Sequence, residues 1–353
     1  MKNYATAALL GALSIAAFAQ TAVVSTPQST VTIYGVVDAG VRDVKNGKYE
    51  EKFLSSNGTA TSRLGFLGTT DLGNGYSAGF NLESGFKPAS GASSDLTRLF
   101  DRRATVSLFS QSLGELRLGR DYSPSYRGYV DYDEFQDNGL GASSIFDSSL
   151  GTARLTGTRT DNEISYFTPA TLGGFFGRVS LAAGQAVVGQ KYAGTVFGYA
   201  QGPFKASLAY GQTTVAPVAG EDLFKTYDAG ASYNFQIFEV KAYFTDSKFA
   251  GLTRKNVSIG ASAPFGALVV RTQFTHTTAS GLTPTKVNTD ADTANHFSLG
   301  VLYTLNKSAT LYATASTIRN QGGAKFAVAA TAVTPAGGGW DSNGIETGFR
   351  YNF

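Results

Sequence analysis

The sequence predicts an all-β chain: a 16-stranded antiparallel transmembrane β-barrel with a long third external loop folded into the lumen. Three observations carry this. Apolar and polar residues alternate with period two in segment after segment, which builds a sheet with two unlike faces. The connections between segments alternate short and long, the asymmetry of a membrane barrel with tight turns at one end and larger loops at the other. Past residue 19 no stretch holds eighteen consecutive apolar residues, so the chain has no membrane helix and can cross a bilayer only by closing a barrel.

Composition agrees. Among 353 residues there are 42 glycines, 18 tyrosines and 25 phenylalanines, and only 16% are charged. Glycine and ring residues together suit antiparallel strands and turns. Cysteine is absent, which excludes disulfides, thiolate metal sites and a cysteine nucleophile. A net charge of +3 gives no nucleic-acid signal.

Taken in order, residues 1–19 read as a secretory signal peptide. Lys2 starts it, an apolar run covers 5–17, and Ala17-Phe18-Ala19 is a small-x-small cleavage pattern, which leaves 20–353 as the barrel domain. The first strand, 30–42, sets Val31, Ile33, Val37, Ala39 and Val41 against Thr32, Tyr34, Asp38 and Arg42. A long polar loop follows, then a strand at 62–71. The Asn74-Gly75 turn leads into 76–86, because Asn-Gly is a strong hairpin signal. Strands at 102–109 and 115–121 follow. Then come the acidic and Gly/Ser-rich residues 122–158, too long for an idle loop. Ten further strands are expected at 162–168, 175–183, 191–200, 204–212, 226–235, 238–246, 254–263, 267–277, 295–305 and 309–319, and a last one at 342–353, which with the five before the long loop makes sixteen. That last strand puts Ile345, Thr347, Phe349, Tyr351 and Phe353 on one face and stops on the phenylalanine.

These residues carry a resemblance. Val31 to Gly40, Ser62-Arg63-Leu64-Gly65-Phe66, Thr70 to Gly75, Leu82-Glu83-Ser84-Gly85-Phe86, Gly114 to Arg120 and Gly348 to Phe353 resemble the general-diffusion porins of Gram-negative bacteria, most of all those of β-proteobacteria. The resemblance implies a homotrimer in the outer membrane, in contact with lipid and lipopolysaccharide. It also implies insertion by the barrel assembly machinery through the C-terminal strand, with Phe353 as the assembly signal. The acidic-aromatic-glycine motif usual at the tip of the inward loop is not evident here.

A pore needs no cofactor and runs no reaction; its chemistry is the charge lining its narrowest point, where small ions and hydrophilic solutes pass. By strand parity Arg63 and Arg159 face inward. At the start of the fourth strand the resemblance selects Arg102, whereas parity selects Arg103, so both stand as candidates. Arg42 and Arg117 face inward nearer the mouths. Glu83 and Asp38 also face inward and are candidates to fix the arginines. Asp131, Asp133, Glu134 and Asp137 are candidate acidic partners across the bore, although each taken singly reads as a solvated loop position. The inward arginine excess favours anions. Tyr76, Phe204, Phe235 and Phe353, at strand ends, read as an interfacial girdle. Two other classes compatible with a barrel are an adhesive or structural protein and a hydrolase. His276 and His296 lie in no serine or acidic motif, so neither an enzyme nor a metal site is supported.

Overall fold

The computed structural model describes residues 29–283 and 285–353; the expected signal peptide lies outside them. Seventeen strand segments form one antiparallel sheet: β1 (Ser29–Asn46), β2 (Tyr49–Ser56), β3 (Arg63–Gly73), β4 (Tyr76–Gly85), β5 (Arg103–Ser110), β6 (Gly114–Tyr122), β7 (Arg159–Phe167), β8 (Phe175–Ala182), β9 (Tyr192–Gln201), β10 (Phe204–Val218), β11 (Glu221–Asn234), β12 (Glu239–Phe249), β13 (Leu252–Phe265), β14 (Leu268–Ser280), β15 (Thr293–Thr304), β16 (Ala309–Gln321) and β17 (Asp341–Asn352). Apart from β2 and β3, which both pair with β1, each strand pairs with its sequence neighbours. The ring closes where β1 pairs with β17, from Val36↔Asn352 to Asn46↔Ser342.

Seventeen segments make a 16-stranded barrel because β2 and β3 share one position. The upper half of β1 pairs with β2 and its lower half with β3, and residues 57–62 form a bulge between them. This corrects the polar loop expected after residue 42. Its charged residues Glu50, Glu51 and Lys52 hide a strand that turns tightly at residues 47–48. Two other external connections are also shorter than expected. β10 and β11 meet across Ala219-Gly220, and β12 and β13 across Ala250-Gly251. Both residues of each turn have positive φ, the geometry whose twist matches a hairpin.

The barrel is apolar outside and polar inside, the inverse of a soluble core. On β1, Val31 and Ile33 are 67% and 61% exposed, whereas Asp38 on the other face is 0% exposed. Glu83, Glu163, Asp228 and Glu346 are likewise buried on inward faces. The girdle residues Tyr76, Phe204, Phe235 and Phe353 are all exposed beside the short turns, as an aromatic belt requires. Among the described residues no helix is long and apolar enough to cross a membrane.

Residues 123–158 are not structureless. Ser123 caps a short helix, α1 (Pro124–Val130), by accepting from the Tyr126 N–H, with Pro124 pre-set for the first turn. Two 3-10 turns follow, Gly139–Gly141 and Ser143–Phe146. The segment touches strand residues far from its ends. Tyr132 Oη lies 2.9 Å from Ser207 Oγ, and the Glu134 N–H donates to Gln273 Oε1 at 2.7 Å. Gly230 on β11 leaves room for the Tyr132 ring; a Cβ there would lie 1.9 Å from it. Leu140 and Phe146 complete an apolar cluster with Val44, Ala294, Ile318 and Val328. His296 Nε2 lies 3.1 Å from the Leu140 carbonyl, which it reaches as donor.

Candidate constriction site

Four arginines meet around one carboxylate and one phenol. Parity and register bring them there: Glu83 on β4 pairs with Gly65 on β3 and with Arg103 on β5, so its side chain lies between β3 and β5 on the inward face. Arg102 Nε donates to Glu83 Oε1 at 2.6 Å, and Arg63 Nε lies 3.2 Å from Glu83 Oε2. The Tyr34 hydroxyl donates to the same carboxylate at 3.0 Å. Tyr122, at the end of β6, then joins two of the arginines: its hydroxyl accepts from Arg102 Nη2 and from Arg159 Nη2, each at 2.7 Å. The Arg159 guanidinium also stacks over the Tyr122 ring at 4.3 Å, and that of Arg103 lies 5.6 Å from it. Such cation–π contacts fix a guanidinium without cancelling its charge.

Both arginines at the start of β5 reach this cluster. Arg103 is the first residue of the strand and shares the face of Thr105 and Ser107; its Nε donates to Asp121 at 2.9 Å. Arg102 precedes the strand, where the backbone is freed from alternation, and its own N–H bonds the Glu83 carbonyl. Asp121 also takes Arg117 at 2.5 Å. Lower on the wall, Arg178 pairs with Glu163. Arg42 is tied to Glu346 at 2.8 Å.

Asp38 does not fix an arginine. Its carboxylate accepts from the N–H groups of Gly58, Thr59 and Ala60 and from the hydroxyls of Thr59 and Tyr312. It therefore holds the bulge at 57–62 in place. The four loop acids also have partners other than the expected ones. None forms an ion pair with Arg63, Arg102, Arg103 or Arg159 among the described residues. Asp131 pairs with Arg127 at 2.5 Å and Lys205 at 2.9 Å. Glu134 lies 3.3 Å from Lys241. Asp133 caps its own turn, accepting from the N–H groups of Phe135 and Asp137. Asp137 accepts from the Tyr126 hydroxyl and the Ser144 N–H. Burial, reinforced by the neighbouring Asp133 charge, pushes the Asp137 carboxyl up to about 7.

Sequence reasoning passed over Tyr122, Lys205, Lys241, Arg271 and Arg350. Arg271 lies 4.2 Å from the Phe135 ring, and Arg350 Nη1 lies 3.3 Å from Thr59 Oγ1. Strand parity alone would have found Lys241 and Arg271. It could not have found Tyr122, since tyrosines at strand ends read as girdle.

A closed barrel with a lipid-facing apolar exterior and a charged interior defines a channel of the outer membrane. The description "Gram-negative porin" matches residues 5–323, and the chain belongs to that family. Outer membrane porin protein 32 of Delftia acidovorans is 32% identical over 345 residues, covering 92% of this chain and 95% of its own. A solved anion-selective porin from Comamonas acidovorans superposes with a TM-score of 0.82 at 31% identity, over 92% of this chain and 100% of its own. OmpT of Vibrio cholerae, solved in a trimer form, shares the fold at 13% identity, with a TM-score of 0.66 over 92% of this chain and 99% of its own. Porins are channels rather than enzymes, and this one resides in the outer membrane.

Proposed function

We propose that this porin passes small hydrophilic solutes by passive diffusion and prefers anions, through a constriction walled by Arg63, Arg102, Arg103 and Arg159 and narrowed by residues 123–158 entering the bore. One observation carries the reading. The four guanidinium groups share only Glu83 and Asp121 as ion-pair partners, while the loop carboxylates are taken up by Arg127, Lys205 and Lys241 or by backbone N–H groups. Uncompensated positive charge beside a low-dielectric wall draws anions in and repels cations. The anion-selective relative from Comamonas supports the same sign. The double variant Arg63→Ala/Arg159→Ala tests it: reversal potentials in dilute salt should move towards cation preference. Unchanged potentials would put the selectivity in the mouth loops.

The remaining parts of the reading follow the family resemblance. Residues 1–19 are removed on export, and 20–353 assemble as a homotrimer in lipid and lipopolysaccharide. Phe353 is the signal read by the assembly machinery. In support, the backbone of Phe353 bonds reciprocally with Gly35 at 3.0 and 3.1 Å, and its exposed ring offers an apolar end to a receptor.

A further inference from the structure

Three lysines stand together on the outer face of the barrel, at the external ends of β11, β12 and β13. Lys225 lies directly opposite Lys248 across β11 and β12, and Lys255 lies opposite Asp246 across β12 and β13. Parity turns all four outward, on the face of Tyr227, Phe244 and Val257, which are exposed. Tyr210 and Tyr227, paired in register on β10 and β11 with ring centroids 5.1 Å apart, mark the level of the lipid headgroups. Beneath them Leu208, Phe244, Val257 and Ile259 continue the lipid-facing band. Asp246, the acid among the lysines, is taken by Lys248 at 3.1 Å, whose Nζ also lies 5.5 Å from the Tyr227 ring. Lys225 and Lys255 have no ion-pair partner among the described residues. Glu221, at the hairpin, accepts from the Ala250 N–H at 3.3 Å. It stands four residues beyond Lys225, about 13 Å along the strand and more than a Debye length of about 8 Å.

Like charges directly opposite one another destabilise a sheet, and an anion between them removes the penalty. We propose that this patch binds outer-leaflet lipopolysaccharide through a phosphate of its lipid anchor, with the acyl chains lying on the apolar band beneath. The charges match: three lysines against one aspartate leave a net charge of about +2, and a phosphate monoester carries about −1.5 to −2. The spacing matches too. Opposite residues stand about 5 Å apart and diagonal ones about 7–8 Å, so three flexible lysine stems can converge on one phosphate. Outward charges on β1 and β2 show no such excess, since Lys52 pairs with both Asp43 and Glu50, at 2.9 and 2.6 Å. A second copy of the chain is the poorer occupant, because lysine is depleted where proteins pack together. The inference rests on residence in the outer membrane and is independent of the sign of ion selectivity.

The test is native mass spectrometry of the refolded protein in detergent, titrated with purified lipid A, with the same lipid stripped of its phosphates, and with inorganic phosphate as competitor. Saturable adducts of the phosphorylated lipid are expected, and far fewer of the stripped one. Lys225→Gln/Lys255→Gln should weaken binding roughly thirtyfold, about fivefold for each lysine beside an anionic lipid surface. Lys45→Gln/Lys52→Gln, on β1 and β2, is the control and should change nothing. Equal binding in wild type and Lys225→Gln/Lys255→Gln, equal loss in the control, or equal binding of the stripped lipid would overturn the proposal. Full displacement by millimolar inorganic phosphate would overturn it in favour of a free-phosphate site. Loss of oligomer without loss of lipid in the double variant would overturn it by giving this face to a second copy. Should the double variant fail to refold, Asp246→Asn removes the acid and must tighten binding about fivefold; unchanged or weaker binding there would overturn the proposal equally. Reversal potentials read the bore, so failure here and failure of the anion-preference reading are distinguishable.

Discussion

Replacing Glu83 by glutamine should strengthen anion preference. Glu83 is the carboxylate at the centre of the arginine cluster, and glutamine keeps an acceptor oxygen for the Arg102 Nε–H, now 2.6 Å away. The variant therefore removes one negative charge with little change of shape. For an ion passing about 6 Å from that carboxylate in water, the Coulomb energy is about 0.7 kcal/mol before screening. At 0.1 M salt the Debye length of about 10 Å reduces this to about 0.4 kcal/mol. The change favours chloride and disfavours potassium equally, so the permeability ratio should rise about fourfold. At 1 M, where the Debye length is about 3 Å, the same charge is worth less than about 1.5-fold. Reversal potentials of single channels across a potassium chloride gradient give the ratio directly. A fall in anion preference, or no change in dilute salt, would show that Glu83 does not face the conducting path.

The segment 123–158 offers two more tests. Gly230→Leu should force the Tyr132 ring off the wall, since a Cβ already meets it at 1.9 Å; single-channel conductance should change while heat-resistant barrel migration on gels persists. Asp137 has a carboxyl raised to about 7 by burial, so its packed environment favours the protonated form. The stability of that packing is fullest below the ordinary carboxyl range and is lost as pH rises through about 7. Amide protection across 126–146, corrected for the hydroxide-catalysed rise in intrinsic exchange, should therefore fall as pH rises from about 4 to about 7 and level off above that, and Asp137→Asn should flatten the profile.

Period-two alternation was enough to place the strands, because a wet interior and a lipid exterior impose opposite chemistry on successive residues. It failed where that contrast fades. Residues 49–56 carry charge on both faces of β2, through Glu50 and Lys52 on one and Glu51 on the other, and so read as loop. The Ala219-Gly220 and Ala250-Gly251 turns carry weaker signals than Asn74-Gly75, so the legible alternation ends short of the loop ends of β10 to β13. At the site, parity identified Arg63, Arg103, Arg159 and Glu83, and resemblance added Arg102. Which carboxylate meets which cation depends on contacts between segments distant in sequence. Asp38 went to backbone amides, and Glu134 to Lys241, through packing that no local pattern encodes.

The central claim is that an arginine wall sets anion preference. The zero-current potential of the unmodified channel across a tenfold potassium chloride gradient measures this directly, in dilute and in concentrated salt. The account predicts the sign of chloride preference, strongest in dilute salt and shrinking as the arginine field is screened near 1 M. A potential of the opposite sign, or one that does not respond to ionic strength, would contradict it.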